Sequence, residues 1–125
     1  MNPPVLYGIQ ACDTCRKARN WLQRFGIEHQ FIDYREQRPP PELLLAWKEQ
    51  LGGWDAMINK TSPTWRNLPP NRKAPGSDAE WKLLLKEYPT LIRRPVVVTG
   101  DGAVTQGFSD TGFKLRFGRG AGMPR

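Results

Sequence analysis

Apolar and polar positions along the chain change period several times, and each change marks an element. Val5-Leu6-Tyr7-Gly8-Ile9 is a short apolar run of strand formers. Cys15, Ala18, Leu22 and Phe25 then recur at spacings of three and four, Trp21 widens the stripe, and Gly26 stands at the expected stop. That pattern predicts a helix from about Asp13 to Phe25. Ile27 to Tyr34 alternates in part, with Ile27, His29 and Phe31 on one side, and reads as a second strand. Strand, helix and strand within about thirty residues favour a right-handed parallel crossover.

The texture changes at Pro39-Pro40-Pro41. Leu43, Leu44, Trp47 and Leu51 lie at helical spacing behind a proline suited to a first turn, and Gly52-Gly53 ends that helix. Trp54, Met57 and Ile58 suggest a short second helix, Thr61 to Pro75 reads as a long loop, and Ser77-Asp78-Ala79-Glu80 fits a capping box. Trp81, Leu84, Leu85 and Tyr88 form the apolar face that follows, and Pro89 breaks it. Strand character returns from Leu91 to Val98, with Gly100-Asp101-Gly102 as a hairpin turn into Ala103-Val104-Thr105-Gln106. Ser109 or Asp110 caps a last short helix in which Phe113, Leu115 and Phe117 are apolar but poorly spaced. The fold class expected is α/β, a mixed four-stranded sheet with an all-helical insertion. Residues 1–35 and 89–117 form the sheet domain, 36–88 the insertion and 118–125 a basic flexible tail.

Composition narrows the function classes. The chain has 125 residues with 19 Lys+Arg against 12 Asp+Glu, a formal charge of +7. No apolar run approaches the ~18 residues of a membrane span. The start, Met1-Asn2-Pro3-Pro4, lacks the basic patch and apolar stretch of a secretory signal. A cytoplasmic protein with no membrane association is expected. Lys114, Arg116, Arg119 and Arg125 fall in a closing stretch without an acid, which is either a solvated terminus or a patch attracting polyanions without sequence specificity. A second acid-free cluster, Arg16, Lys17, Arg19 and Arg24, follows the cysteines directly.

The two cysteines, Cys12 and Cys15, stand too close together to staple a small secreted fold, and with a single histidine, His29, they do not make a four-ligand zinc site. No metal is expected. Cys-x-x-Cys between a first strand and the helix after it reads instead as a redox motif. Unpaired backbone N–H groups and the helix dipole favour an anion at a helix start, so Cys12 is the thiol expected to ionise. A free thiol of pKa ~8.5 is only ~3% ionised at pH 7, whereas lowering it to ~6.5 makes ~75% available as nucleophile. Cys15, one turn further in, either attacks an oxidised Cys12 sulfur to close a redox-active disulfide or is an inert core residue on the helix's apolar stripe. Proline in Arg94-Pro95-Val96 removes a ladder donor, so a sheet edge or a cis turn is expected there, with Arg94 held beside it.

Tyr7-Gly8-Ile9, Cys12-Asp13-Thr14-Cys15-Arg16-Lys17-Ala18-Arg19, Trp21-Leu22, Thr64-Trp65-Arg66-Asn67-Leu68, Pro89-Thr90-Leu91-Ile92-Arg93-Arg94-Pro95-Val96 and Gly107-Phe108-Ser109 together resemble the ArsC/Spx family, most closely its YffB-like branch. The resemblance runs to about residue 117 and implies a thioredoxin-like fold with a helical insertion. It also implies Cys12 as nucleophile, Arg94 before Pro95 at the substrate, Arg66 as a second anion-binding arginine, and no cation at Gly107-Phe108, where arsenate reductases of the family place a third arginine; Arg16, from the acid-free cluster after the cysteines, is a further anion-binding candidate. The activity implied is that of a thiol oxidoreductase related to glutaredoxin-coupled arsenate reductases, with Cys15 as resolving thiol. No bound cofactor is implied; reducing equivalents come from glutathione, glutaredoxin or thioredoxin, and the protein is a monomer. The alternative is an Spx-like redox-sensing regulator that binds RNA polymerase. Neither implies direct sequence-specific nucleic-acid binding.

Overall fold

The computed structural model describes residues 2–118. Most of the basic tail expected over 118–125 lies outside the described residues. In chain order the elements are β1 (Val5–Gly8), α1 (Asp13–Arg24), β2 (Gln30–Asp33), α2 (Pro41–Leu51), α3 (Trp54–Met57), α4 (Pro63–Arg66), α5 (Asp78–Glu87), β3 (Val96–Val98), β4 (Val104–Gln106) and α6 (Asp110–Phe117). Single 3₁₀ turns occupy Pro70–Arg72 and Pro89–Leu91. The chain divides into two compact units, 1–33 with 94–125, and 34–93.

The first unit is a mixed four-stranded sheet of order β2-β1-β3-β4. β1 pairs parallel with β2, Val5 opposite Gln30 and Gly8 opposite Asp33. It pairs antiparallel with β3, Leu6 opposite Val97, and β3 pairs antiparallel with β4. This is the α/β arrangement the apolar pattern predicts. Helix α1 buries Cys15, Ala18, Trp21 and Leu22, and the last three pack with Leu6, Val97, Phe113 and Phe117 in one core. Burying side chains of this size contributes roughly 1.5–3 kcal/mol each. Trp21 is the hub: its ring lies 4.5 Å from Phe25 and edge-on to Phe113 at 5.5 Å, and its Nε1 donates to Asp110 Oδ1 at 2.7 Å. In α6 the poor spacing resolves simply. Phe113 and Phe117, four apart, are buried, while Leu115 is left 75% exposed, and Ser109 Oγ accepts from the Gly112 N–H as the cap. Arg116 reaches back from α6 to the hairpin, donating to Ala103 O at 2.7 Å and to Thr99 Oγ1 at 3.3 Å.

Three sequence expectations change. The strand expected over Leu91–Val98 shrinks to Val96–Val98, because Pro89–Leu91 winds into a 3₁₀ turn, Ile92 makes only an isolated bridge to Ile58, and Pro95 has no N–H to give a ladder. The Arg94–Pro95 bond is cis. The strand expected from Ile27 forms only over Gln30–Asp33, since the Ile27 N–H is taken by Leu22 O at the end of the preceding helix. The loop expected over Thr61–Pro75 contains α4, where Ser62 Oγ caps the Trp65 N–H and Pro63 fills the first turn.

The second unit is helical, as expected of the insertion. Leu44 and Trp47 of α2, Met57 and Ile58, and Trp81, Leu84 and Leu85 of α5 are buried. Trp81 stands between two near-parallel indoles, Trp54 at 5.9 Å and Trp65 at 6.4 Å. Ser77 Oγ accepts from the Glu80 N–H as the capping box requires, but Glu80 Oε1 returns to the Gly76 N–H rather than to Ser77.

Candidate functional site

Cys12 is the N-cap residue of α1, with φ −76° and ψ 129°. Its short approach from β1 is held at two points. The Cys12 N–H donates to Ile9 O at 3.0 Å, and the Gln10 N–H donates to Asp33 Oδ2 at 3.0 Å. Asp33 is only 7% exposed and ends β2, so a carboxylate on the neighbouring parallel strand fixes the loop that carries the first thiol.

The two thiols sit in different surroundings. Cys12 is half-buried and Cys15 fully buried; both are free. Burial pushes the Cys12 thiol up, but the Cys15 backbone N–H, the Arg94 guanidinium, the Cys15 thiol and the Thr14 N–H outweigh it, and its pKa lies below that of an ordinary cysteine. Cys15 shifts the opposite way. Burial first, then the neighbouring Cys12, push its pKa up to about 11 against the opposing effects of the Ile9 backbone and Arg94. Helix α1 accounts for the difference, because its end exposes N–H groups to Cys12 while its apolar stripe carries Cys15 into the core.

Gly8 makes room for that second sulfur. A Cβ on Gly8 would lie 2.4 Å from Cys15 Sγ, well inside contact distance, so β1 admits only glycine opposite the buried thiol. Arg94 is half-buried and Pro95 buried beside this pair of elements. Pro95 O accepts from the Gly107 N–H at 2.8 Å. Gly107 has φ 83°, a left-handed conformation that disfavours any residue with a Cβ. Phe108 packs edge-on to Phe113 at 4.7 Å. The absence of a cation at Gly107-Phe108 is therefore built into the backbone and the core.

The first unit thus brings together Cys12, Cys15 and Arg94, with Pro95 at the start of β3. Arg16 is exposed and ion-paired with Asp13 one turn earlier on the same helix. Arg66 ends α4 in the second unit, exposed, with its carbonyl accepting from Lys73 Nζ at 3.0 Å. His29 Nδ1 lies 2.9 Å from Ile27 O. Gly8 and Asp33 are the positioning residues that sequence reasoning passed over. The glycine inside an apolar strand run was the available signal, since such a residue marks a close approach; Asp33 gave none until the parallel register was known. Among the described residues no group of three His, Cys, Asp or Glu side chains is placed to hold a metal ion, and no helix is long and apolar enough to cross a membrane.

A model of the ArsC family matches residues 7–114. The chain belongs to the ArsC family. An uncharacterised protein of Haemophilus influenzae is 38% identical over 113 residues, spanning 90% of this chain and 97% of its own. The global transcriptional regulator Spx of Bacillus subtilis is 28% identical over 97 residues, covering 75% and 72% of the two chains. Among solved structures, a YffB protein superposes with a TM-score of 0.81 at 35% identity, over 90% of this chain and 96% of that one. An arsenate reductase (ArsC) related protein from Brucella melitensis gives 0.71 at 30% identity, over 93% and 95%. The sheet and helices described above are accordingly the thioredoxin-like fold of ArsC-family proteins.

Proposed function

We propose that the protein is a thiol-dependent oxidoreductase in which Cys12 is the nucleophile and Cys15 the resolving thiol, working on glutathione-containing disulfides. The observation that carries this reading is the opposed setting of the two thiols, Cys12 lowered by N–H groups and Arg94, Cys15 raised to about 11 by burial. The Cys12 thiolate attacks the glutathionyl sulfur of a mixed disulfide, the S–S bond breaks, and the substrate leaves as a thiolate that takes a proton from solvent. Cys15 then attacks Cys12 Sγ, passing its proton to the departing glutathione thiolate, and a Cys12–Cys15 disulfide results. Two electrons from glutathione, glutaredoxin or thioredoxin restore the dithiol. Arg94 holds the anionic substrate as well as the thiolate, Pro95 borders the approach, and Arg16 is a secondary anion contact. The protein acts as a cytoplasmic monomer without a bound cofactor.

Arsenate is a poor substrate on this reading. A charge-assisted hydrogen bond contributes roughly 1.5–3 kcal/mol, so a segment that offers Gly107 and Phe108 instead of a cation forgoes about one to two orders of magnitude in rate. The test is NADPH-coupled turnover of a glutathione mixed disulfide and of arsenate by wild type, Cys12→Ser and Cys15→Ser. Disulfide turnover abolished in Cys12→Ser is the expected result. Equal activity of that variant sinks the proposal, and arsenate turnover exceeding disulfide turnover moves the protein to the arsenate reductases proper.

A second reading rests on the Spx similarity and on the Cys15 thiol, which burial, with a smaller contribution from Cys12, keeps protonated beside Cys12. The pair would then be the sensor of a regulator that binds RNA polymerase. Oxidation-dependent retention on purified polymerase, with no disulfide turnover, is the outcome that selects it.

A further inference from the structure

The helical unit contains a cavity of about 420 Å³ that the thiol chemistry does not use. Its floor is apolar, from Leu44 of α2, Leu85 of α5 and Ile92, and the Pro39-Pro40-Pro41 segment makes one wall. Leu83, 57% exposed, stands at its rim. Arg38, Lys82 and Lys86 complete the lining, and no acidic residue lines it. None of these three cations forms a salt bridge with a described residue. Of the neighbouring acids, Asp78 accepts from Trp54 Nε1 at 2.7 Å and lies 3.6 Å from Lys48 Nζ, with Lys82 only a weaker charge acting on it, and Glu87 pairs with Arg72.

The geometry points to a docking groove for an acidic, amphipathic peptide segment of a partner protein. The argument is charge complementarity over an apolar floor. Lys82 and Lys86, four apart on α5, are neighbours one turn apart, and Arg38 adds a third positive charge from a different segment. A single-headed amphiphile carries one negative charge at one end and satisfies one such cation. Cations spaced along the rim match carboxylates repeated along a chain, with intervening leucine or phenylalanine side chains entering between the prolines and Leu85. This is the helix-in-groove mode of recognition, in which apolar anchors supply affinity and rim charges choose the partner.

The probe is a fluorescein-labelled peptide of repeating Glu-Leu-Glu-Glu-Leu-Phe sequence, titrated with the full chain and followed by fluorescence anisotropy and by amide shifts of nitrogen-labelled protein. The expected result is saturable binding that shifts Leu44, Leu83 and Leu85, weakens with added salt, and falls about tenfold or more in Lys82→Glu/Lys86→Glu, whose fold is checked by circular dichroism. Unchanged binding by Cys12→Ser separates the groove from the thiol site. Absence of binding to wild type overturns the inference. So does equal binding by the charge-reversed protein, equal binding of the peptide with glutamine for every glutamate, or displacement of the peptide by dodecanoate at the same sites.

Discussion

Replacing Gly8 by alanine tests the packing on which the buried thiol depends. The added Cβ would lie 2.4 Å from Cys15 Sγ and 3.4 Å from Phe31 Cε1. The second distance is ordinary contact; the first is an overlap of about 1 Å that must be relieved by moving the sulfur or the strand. Two effects compete. Alanine in a strand interior gains roughly 0.5–1 kcal/mol over glycine through backbone entropy, whereas overpacking a filled core costs typically ~1–3 kcal/mol. The overlap wins, because Cys15 is fully buried and the helix that carries it is anchored by Ala18, Trp21 and Leu22 in the core. Gly8→Ala should therefore lose about 1–2 kcal/mol in urea unfolding under reducing conditions. Cys15→Ala removes the sulfur, and in that background Gly8→Ala should be neutral or stabilising by a few tenths of a kcal/mol. The coupling between the two substitutions should then exceed about 1 kcal/mol. A destabilisation by Gly8→Ala that persists unchanged without the sulfur would refute the account, since the strain would then lie elsewhere.

In Cys15→Ser, the pH dependence of Cys12 alkylation should have its midpoint below the free-thiol value of ~8.5, and Arg94→Ala should raise it; a midpoint at or above that value removes the basis for Cys12 as nucleophile. The reduced protein should lose stability as pH climbs from ~8.5 toward 11, because Cys15 keeps its proton in the folded state longer than in the unfolded chain, and Cys15→Ala should flatten that fall in urea midpoints. Arg116→Ala should destabilise the protein by about 1 kcal/mol in thermal unfolding by removing the contacts that tie α6 to the hairpin, although Ala103 O keeps the Thr99 N–H at 3.0 Å, and Arg116→Lys should not restore it, since one ammonium does not replace the forked contacts.

What the sequence made legible was set by periodicity. The α1 stripe, the capping serines and the Cys-x-x-Cys placement are local patterns, and Cys12 stands at the helix start and Cys15 on the buried stripe. The early strand–helix–strand and the late hairpin were enough to infer a mixed sheet. Four-residue elements such as α4 are too short for a period to show. The strand expected before Val96 does not form, because Leu91 and Ile92 are apolar for a different reason: they belong to the core of the helical unit. Gly8 and Asp33 act through pairing across β1, β2 and α1, which only a three-dimensional register reveals. The basic residues were the least legible. Arg16 follows the thiol most directly in sequence, yet it spends its charge on Asp13, whereas Arg94, distant in sequence, lowers the Cys12 pKa.

The opposed shifts of two thiols three residues apart impose an order on the proposed chemistry. A dithiol in which both groups ionised easily would place two anions side by side, and each would raise the other; here Cys12 is itself a cause of the raised Cys15 pKa. Once Cys12 is in a mixed disulfide that repulsion disappears, while Arg94 and the Ile9 backbone still favour a Cys15 thiolate. Formation of the adduct therefore lowers the barrier to its own resolution. Before the adduct forms, Cys15 stays protonated and shielded in the core, so oxidant meets Cys12 first. Gly8 is what keeps this order in place, because it lets the second sulfur sit against β1, buried enough to wait and still within one helical turn of the first.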